Sequence, residues 1–133
     1  MSSSRPLPFN FPKELASAAF FLGEEAAWPP DLAASAVEWF GSHGYAVLGT
    51  ELWVVQGDGI QSLQLGRDGT MNLYGNTVDK EVHEDWRSFA LRSALATRTY
   101  LESFDTSEVV EQGKLYFNIS WVSESLFSQL KAL

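Results

Sequence analysis

Two histidines, seventeen carboxylates and no cysteine set the range of chemistry open to this chain. Without cysteine there is no thiolate nucleophile, no thiolate metal ligand and no disulfide. His43 stands beside Gly44 at the end of an apolar run, where an imidazole also suits a helix C-terminus. His83 stands in an acidic run with Asp79, Glu81, Glu84 and Asp85. Neither histidine has partners at the spacing a metal or a proton relay requires. The acidic run lacks the alternating oxygen donors around a turn glycine that mark a calcium loop, and its charges suit the positive end of a following helix. Gly57, Gly59, Gly66 and Gly69 punctuate turns. No glycine precedes Lys-Ser or Lys-Thr, which excludes a phosphate loop, and there is no Gly-x-Ser-x-Gly elbow. Among so many acids no carboxylate pair stands out for glycosidic chemistry. Trp53, Trp86 and Trp121 line either a core or a pocket. Glu51 is more informative. It lies between Gly49-Thr50 and Leu52-Trp53, either as a bulge carboxylate facing water or as a charge held on a rigid element for a partner.

A chain of 133 residues forms one domain, and 45% apolar residues with eighteen aromatics (nine Phe, five Trp, four Tyr) suffice for a core. Nine basic residues against seventeen acidic ones leave a net charge of −8, the wrong sign for a nucleic-acid footprint. No run approaches the ~20 apolar residues of a membrane span. The apolar stretch Leu15 to Leu22 follows Pro6, Pro8, Pro12 and Glu14 and runs into Glu24 and Glu25, unlike a secretory signal. The expectation is a cytoplasmic protein bound neither to nucleic acid nor to membrane, with no cofactor or metal.

The elements that must position Glu51 are legible in outline. Residues 1–9 read as an extended Ser/Pro lead-in. Asn10 is placed to cap a short helix to about Leu22, with Gly23 as its stop. Pro29-Pro30 opens a second helix to about His43, buried through Leu32, Ala33, Ala36, Val37 and Phe40. All five prolines lie at or before position 30, so long hydrogen-bonded elements are free to follow. Tyr45–Leu48 and Glu51–Gln56 read as strand around a bulge or turn at Gly49-Thr50. Gly57-Asp58-Gly59 and Arg67-Asp68-Gly69 read as hairpin turns. In the second hairpin Leu63, Leu65, Met71 and Leu73 fall on one face, expected packed. Ser62, Gln64, Asn72 and Tyr74 fall on the other, expected wetter. The clearest helix runs from about Lys80 to Phe104, with Asp79 as its cap and Trp86, Phe89, Ala90, Ala94, Thr97, Tyr100, Leu101 and Phe104 as its stripe. An exposed acidic loop, Asp105 to Gly113, leads to a last strand, Lys114–Val122, and Ser123 caps a final helix. The sum is an α+β fold: a mainly antiparallel sheet of about five strands with a long helix and shorter helices packed on one face.

The segment Gly44-Tyr-Ala-Val-Leu-Gly-Thr-Glu-Leu-Trp53, directly after an Ala-rich helix, resembles the helix and I-L-G-G-D/E-V/L-Y/W signature of the immunity protein 40 family of bacterial polymorphic toxin systems. Arg92-Ser93, Ala96, Tyr100-Leu101 and Phe104, followed by Tyr116-Phe117 and Ile119, resemble the R-S-x-x-x-A-x-x-Y-I … Y-F-x-I/V tail of that family. The matched positions run from about residue 30 to 122. Gly49-Thr50 replaces the double glycine, and Gly75-Asn76-Thr77-Val78 replaces an Asp-Asn-Trp-Tyr-like patch.

The resemblance implies inhibition by binding: an immunity protein that occupies a cognate toxin domain without catalysis. An acidic inhibitor suits a basic nuclease toxin, because opposite fields speed encounter. The expected contact residues are Glu51, Trp53, Asp58, Asn72 and Tyr74, on a sheet face or hairpin rim. A small-molecule or peptide-binding module using the open sheet face is the alternative. A third reading, an enzyme, would need Glu51 close to His83.

Overall fold

The computed structural model describes residues 7–57, 59–110 and 113–132. In chain order it forms α1 (Lys13–Ala18), β1 (Phe20–Leu22), β2 (Glu25–Trp28), α2 (Pro30–Ser42), β3 (Ala46–Gln56), β4 (Gly59–Gln61), β5 (Leu63–Leu65), β6 (Met71–Leu73), β7 (Gly75–Thr77), α3 (Trp86–Ser103), a 3-10 turn (Thr106–Glu108), β8 (Lys114–Val122) and α4 (Glu124–Lys131). The fold is α+β. Six antiparallel strands make the main sheet in the order β1-β2-β8-β3-β4, with β7 also paired to β3; β5 and β6 form a separate ribbon. This bears out the expected mainly antiparallel sheet of about five strands, with one strand more.

The two long strands β3 and β8 are the spine. They pair from Ala46↔Val122 to Val55↔Lys114, with a register shift between Val47 and Gly49. Gly49-Thr50 is thus a bulge inside one continuous strand rather than a break. Beside the shift, the Val47 N–H donates to Ser93 Oγ on α3 at 2.9 Å, and that hydroxyl donates to the Ala90 carbonyl. Ser93 is fully buried, so the serine supplies a partner where a bulged ladder leaves a donor over.

One face of the sheet carries the helices. Trp28, Leu52, Phe117, Ile119 and Trp121 pack against Ala33, Ala36, Val37 and Phe40 of α2 and Ala94 and Leu101 of α3, with Phe11 and Leu15 closing one side. Trp121 stacks on Phe40 with centroids 4.6 Å apart. The small residues let α2 and α3 cross closely: a Cβ on Gly41 would overlap that of Ala94. Arg98 of α3 and Glu38 of α2 pair across the crossing. At one end of the sheet Phe127 of α4 packs with Trp86 and Phe89, beside Ala46 and Val122.

The helices and the loop after α3 depart from expectation in three places. The helix expected from Asn10 to Leu22 shrinks to six residues. Asn10 has φ 67°, outside the extended region an N-cap uses, and Ala19 is already extended. Phe20–Leu22 pairs instead with β2, and Gly23, at φ 61°, makes the hairpin turn rather than a helix stop. Leu7 packs against the core; the rest of the expected lead-in falls largely on residues 1–6, outside the described residues. The long helix starts at Trp86 with Asp85, not Asp79, as its cap: Asp85 Oδ1 accepts the Ser88 N–H at 2.8 Å. The preceding turn is held by Arg92, whose guanidinium grips both Glu84 oxygens (2.7 and 2.8 Å) and the Asp79 carbonyl (2.6 Å). Finally, the acidic loop after α3 is not wholly exposed: Val109 is buried and bridges to Gly66.

Two outcomes follow. Ser93→Ala strands the Val47 N–H in the core and lowers unfolding free energy by about 1–3 kcal/mol, read from urea melts. The bond from Arg92 holds the Glu84 carboxyl down to about 2 against an ordinary 4.5. A lowered carboxyl stabilises the fold above its unfolded value and loses that contribution as acid protonates it. The urea-midpoint gap between the native chain and Glu84→Gln is therefore full above pH 4.5 and closes as pH falls toward 2.

Candidate functional site

The second face of the main sheet is built differently. Along β3, Glu51, Trp53 and Val55 alternate onto it; from β8 come Tyr116, Asn118 and Ser120; from β2, Glu25 and Ala27. Register sets the rows: Ala27 pairs with Asn118, Asn118 with Glu51, and Tyr116 with Trp53. The apolar cluster here is Ala27, Trp53 and Tyr116, with Phe20, Val55 and Ile60 against it, and it contains no helix residue. Phe20 meets Trp53 edge-on at 6.4 Å and Tyr116 at 5.6 Å. Beyond the aromatics, Lys114 Nζ lies 5.4 Å over the Tyr116 ring. On the other side the face turns polar and acidic. An open hollow of about 390 Å3 is lined by Glu25, Glu51, Asn76, Asn118 and Ser120 with the backbone of Gly49.

Glu51 is the best-held charge on this face. Its strand is paired on one side to β8 at Asn118 and on the other to β7 at Gly75. Trp53 Nε1 donates to Glu51 Oε1 at 2.9 Å. Trp53 itself is 1% exposed, which corrects its expected place among the contact residues. With a large ring to bury and one N–H to satisfy, it sinks beside Phe20 and Tyr116 and fixes the carboxylate next to it.

Asn72 and Tyr74 are brought together, but turned inward. Asn72 Nδ2 donates to Thr70 Oγ1 at 2.8 Å and to the Tyr74 hydroxyl at 3.4 Å, and the Tyr74 ring meets Phe104 edge-on. Behind it, burial pushes the Tyr100 phenol up, and the Glu108 charge adds to the shift. Asp58 lies outside the described residues. His83 is exposed in the turn before α3, and Glu51 has Trp53 as its partner. Among the described residues no three His, Asp or Glu side chains gather as a metal site would require.

Sequence alone placed the second hairpin the wrong way round. Leu63, Met71 and Leu73, expected packed, are 49, 50 and 62% exposed, while Gln64, expected wet, is 2% exposed. The cause lies in β3. Its free edge is served by β7 at residues 49–51 and by β4 at 54–56, which leaves Leu52 between them. The Leu52 N–H reaches the Tyr74 carbonyl at 2.8 Å, and the Leu52 carbonyl accepts from Gln64 Nε2 at 3.1 Å. A side chain thus stands in for a missing strand residue. Because neighbours on a strand point to opposite faces, turning Gln64 in turns Leu63 out. Glu25 and Gln64 escaped sequence reasoning, since both act through pairing between residues distant in the chain.

No protein-family model, curated protein or solved structure matches the chain. No helix among the described residues is long and apolar enough to cross a membrane.

Gln64→Leu makes the hairpin more apolar and yet destabilises the fold by about 1–3 kcal/mol, because the Leu52 carbonyl is left buried without a donor. Chemical denaturation of the two chains measures it.

Proposed function

We propose that this chain is a non-catalytic inhibitor: a cytoplasmic bacterial immunity protein that neutralises a cognate toxin domain by covering it. The observation that carries the reading is the acidic strip on the second face of the sheet, where Glu25 of β2 and Glu51 of β3, on either side of β8, line one hollow beside the Ala27, Trp53 and Tyr116 cluster. A carboxylate held on a central strand pays little ordering entropy on binding, which favours recognition over titration chemistry. The net charge of −8 supports a basic partner, a nuclease toxin among them, since complementary fields raise association rates and reject acidic competitors. The resemblance of residues 44–53 and 92–119 to the immunity protein 40 family supports the same reading.

A second reading rests on the size of the hollow. At about 390 Å3, with carboxylate, carboxamide and hydroxyl groups around it, it falls in the range of small-ligand sites and suits a cationic small molecule or peptide.

The test uses the C-terminal domain of a large secreted protein encoded beside this gene, purified and titrated calorimetrically. The native chain binds it and abolishes its toxicity. Glu51→Lys weakens binding at least about tenfold. Glu51→Gln, which keeps an acceptor for Trp53 Nε1, slows association and flattens its salt dependence. Full protection by Glu51→Lys contradicts the assignment of this face.

A further inference from the structure

From the inverted hairpin we infer that the docking surface does not end at the acidic face but continues across Leu73, Leu63 and Met71, so that the partner must present an apolar projection beside its basic residues. The inference rests on the inhibitor reading above and states what the toxin domain must look like.

Three observations carry it. The first is continuity. The hollow containing Glu25 and Glu51 shares Thr50, Glu51, Asn76 and Thr77 with a second hollow of about 230 Å3, and Leu73 lines that second hollow. Leu73 pairs directly with Leu63, and Met71 lies two residues along the same strand, so all three share the outward face of the ribbon. Acid and apolar patch therefore meet at Glu51 and Leu73.

The second is the cost of the arrangement. Gln64 explains why the inner face of the ribbon is polar; it does not require the outer face to be apolar. Serine, threonine or lysine at 63, 71 and 73 would satisfy the same backbone and be free of the penalty for wetting leucine. Three large apolar side chains each about half exposed or more on one small ribbon form the kind of patch that marks an interaction surface.

The third is charge. At the ribbon tip Asp68 is tied into its own turn by the Thr70 N–H and hydroxyl, and Arg67 Nε donates to the Ser107 carbonyl. Glu51 lines the same hollow as Leu73, and Glu108 is bonded through its carbonyl to the Arg67 N–H of the ribbon, on a chain of net charge −8. Two copies meeting through this surface would bring like charges together, whereas a basic domain would not. The occupant is thus a protein surface with an aliphatic or aromatic side chain flanked by lysine or arginine.

The experiment compares the full-length native chain, the double variant Leu63→Ser/Leu73→Ser and Glu51→Lys against the same purified toxin domain, with circular dichroism and urea midpoints to establish folding. The double variant should bind at least about tenfold more weakly, as loss of central apolar contacts does, while keeping the salt dependence of the native chain. Hydrogen exchange on the native chain should show amides 63–65 and 71–73 protected in the complex, a readout that needs no variant to fold. If the double variant binds as the native chain does and those amides exchange freely, while Glu51→Lys still loses binding, the extension is wrong and the acidic face stands. If the native chain leaves the domain unbound, both readings fall. If sedimentation finds a native dimer that the double variant abolishes, the ribbon belongs to a second copy and the proposal is overturned.

Discussion

A strand in the middle of a sheet has to satisfy its backbone on two edges, and most of this molecule is arranged around that demand in β3. One edge is met by β8 over nearly its whole length. The other is patched together from β7, the Tyr74 carbonyl, the Gln64 carboxamide and β4. At the bulge the helix joins in, with Ser93 taking the Val47 N–H. An unpaired buried amide or carbonyl costs on the order of 1–3 kcal/mol, a sizeable part of the net stability of a domain, so each patch constrains what surrounds it. Gln64 sets which way the ribbon faces. Ser93 ties α3 to the bulge, one residue before Ala94, which meets Gly41 at the tight helix crossing.

The two sides of the sheet have different characters. The helix-covered side is conventional: large aromatics against alanine, valine and glycine. The other side has an aromatic cluster with no helix over it and a polar strip beside that cluster. Trp53 links the two regions, since its ring belongs to the cluster and its N–H to Glu51. Thr50, Asn76 and Thr97 tie the strip to the helix side: Thr50 Oγ1 donates to Asn76 Oδ1, and Asn76 Nδ2 donates to Thr97 Oγ1. The Glu51 carboxylate is therefore fixed to the rigid part of the molecule.

Where side-chain period and backbone pairing agree, the sequence could be read directly. Lys114–Val122 emerged with its observed bounds, α2 began at its prolines, and Ser123 caps α4 by accepting the Leu126 N–H. Errors came where a local signal met a distant requirement. Leu15 to Leu22 is apolar at helical spacing, but Phe20 finds Trp53 and Tyr116 only if the chain leaves the helix at Ala19. Asp79 and Asp85 are equally good caps in isolation, and the Arg92 grip on Glu84 and the Asp79 carbonyl decides between them. In the ribbon the alternation was read correctly and its polarity inverted, because no property of residues 62–74 reveals that Leu52 lacks a partner. The setting of Glu51, between the bulge and a tryptophan, was legible in the sequence. Trp53, readable from the sequence as core or as pocket lining, belongs to the core once its cluster is assembled.

On the proposed reading, the inversion also separates two kinds of recognition on one surface. Charge acts over roughly the 8–10 Å of a Debye length and is tolerant of detail, so Glu25 and Glu51 alone would attract many basic domains. An apolar ribbon acts only at contact and requires a matching shape, and so it can reject partners that the field has brought close. On that reading, placing the two side by side, joined at Glu51 and Leu73, would let a small acidic protein meet basic surfaces quickly and remain on few of them. The backbone constraint at Leu52 positions the second element: the carboxamide that completes β3 is the reason leucines face water beside the carboxylates.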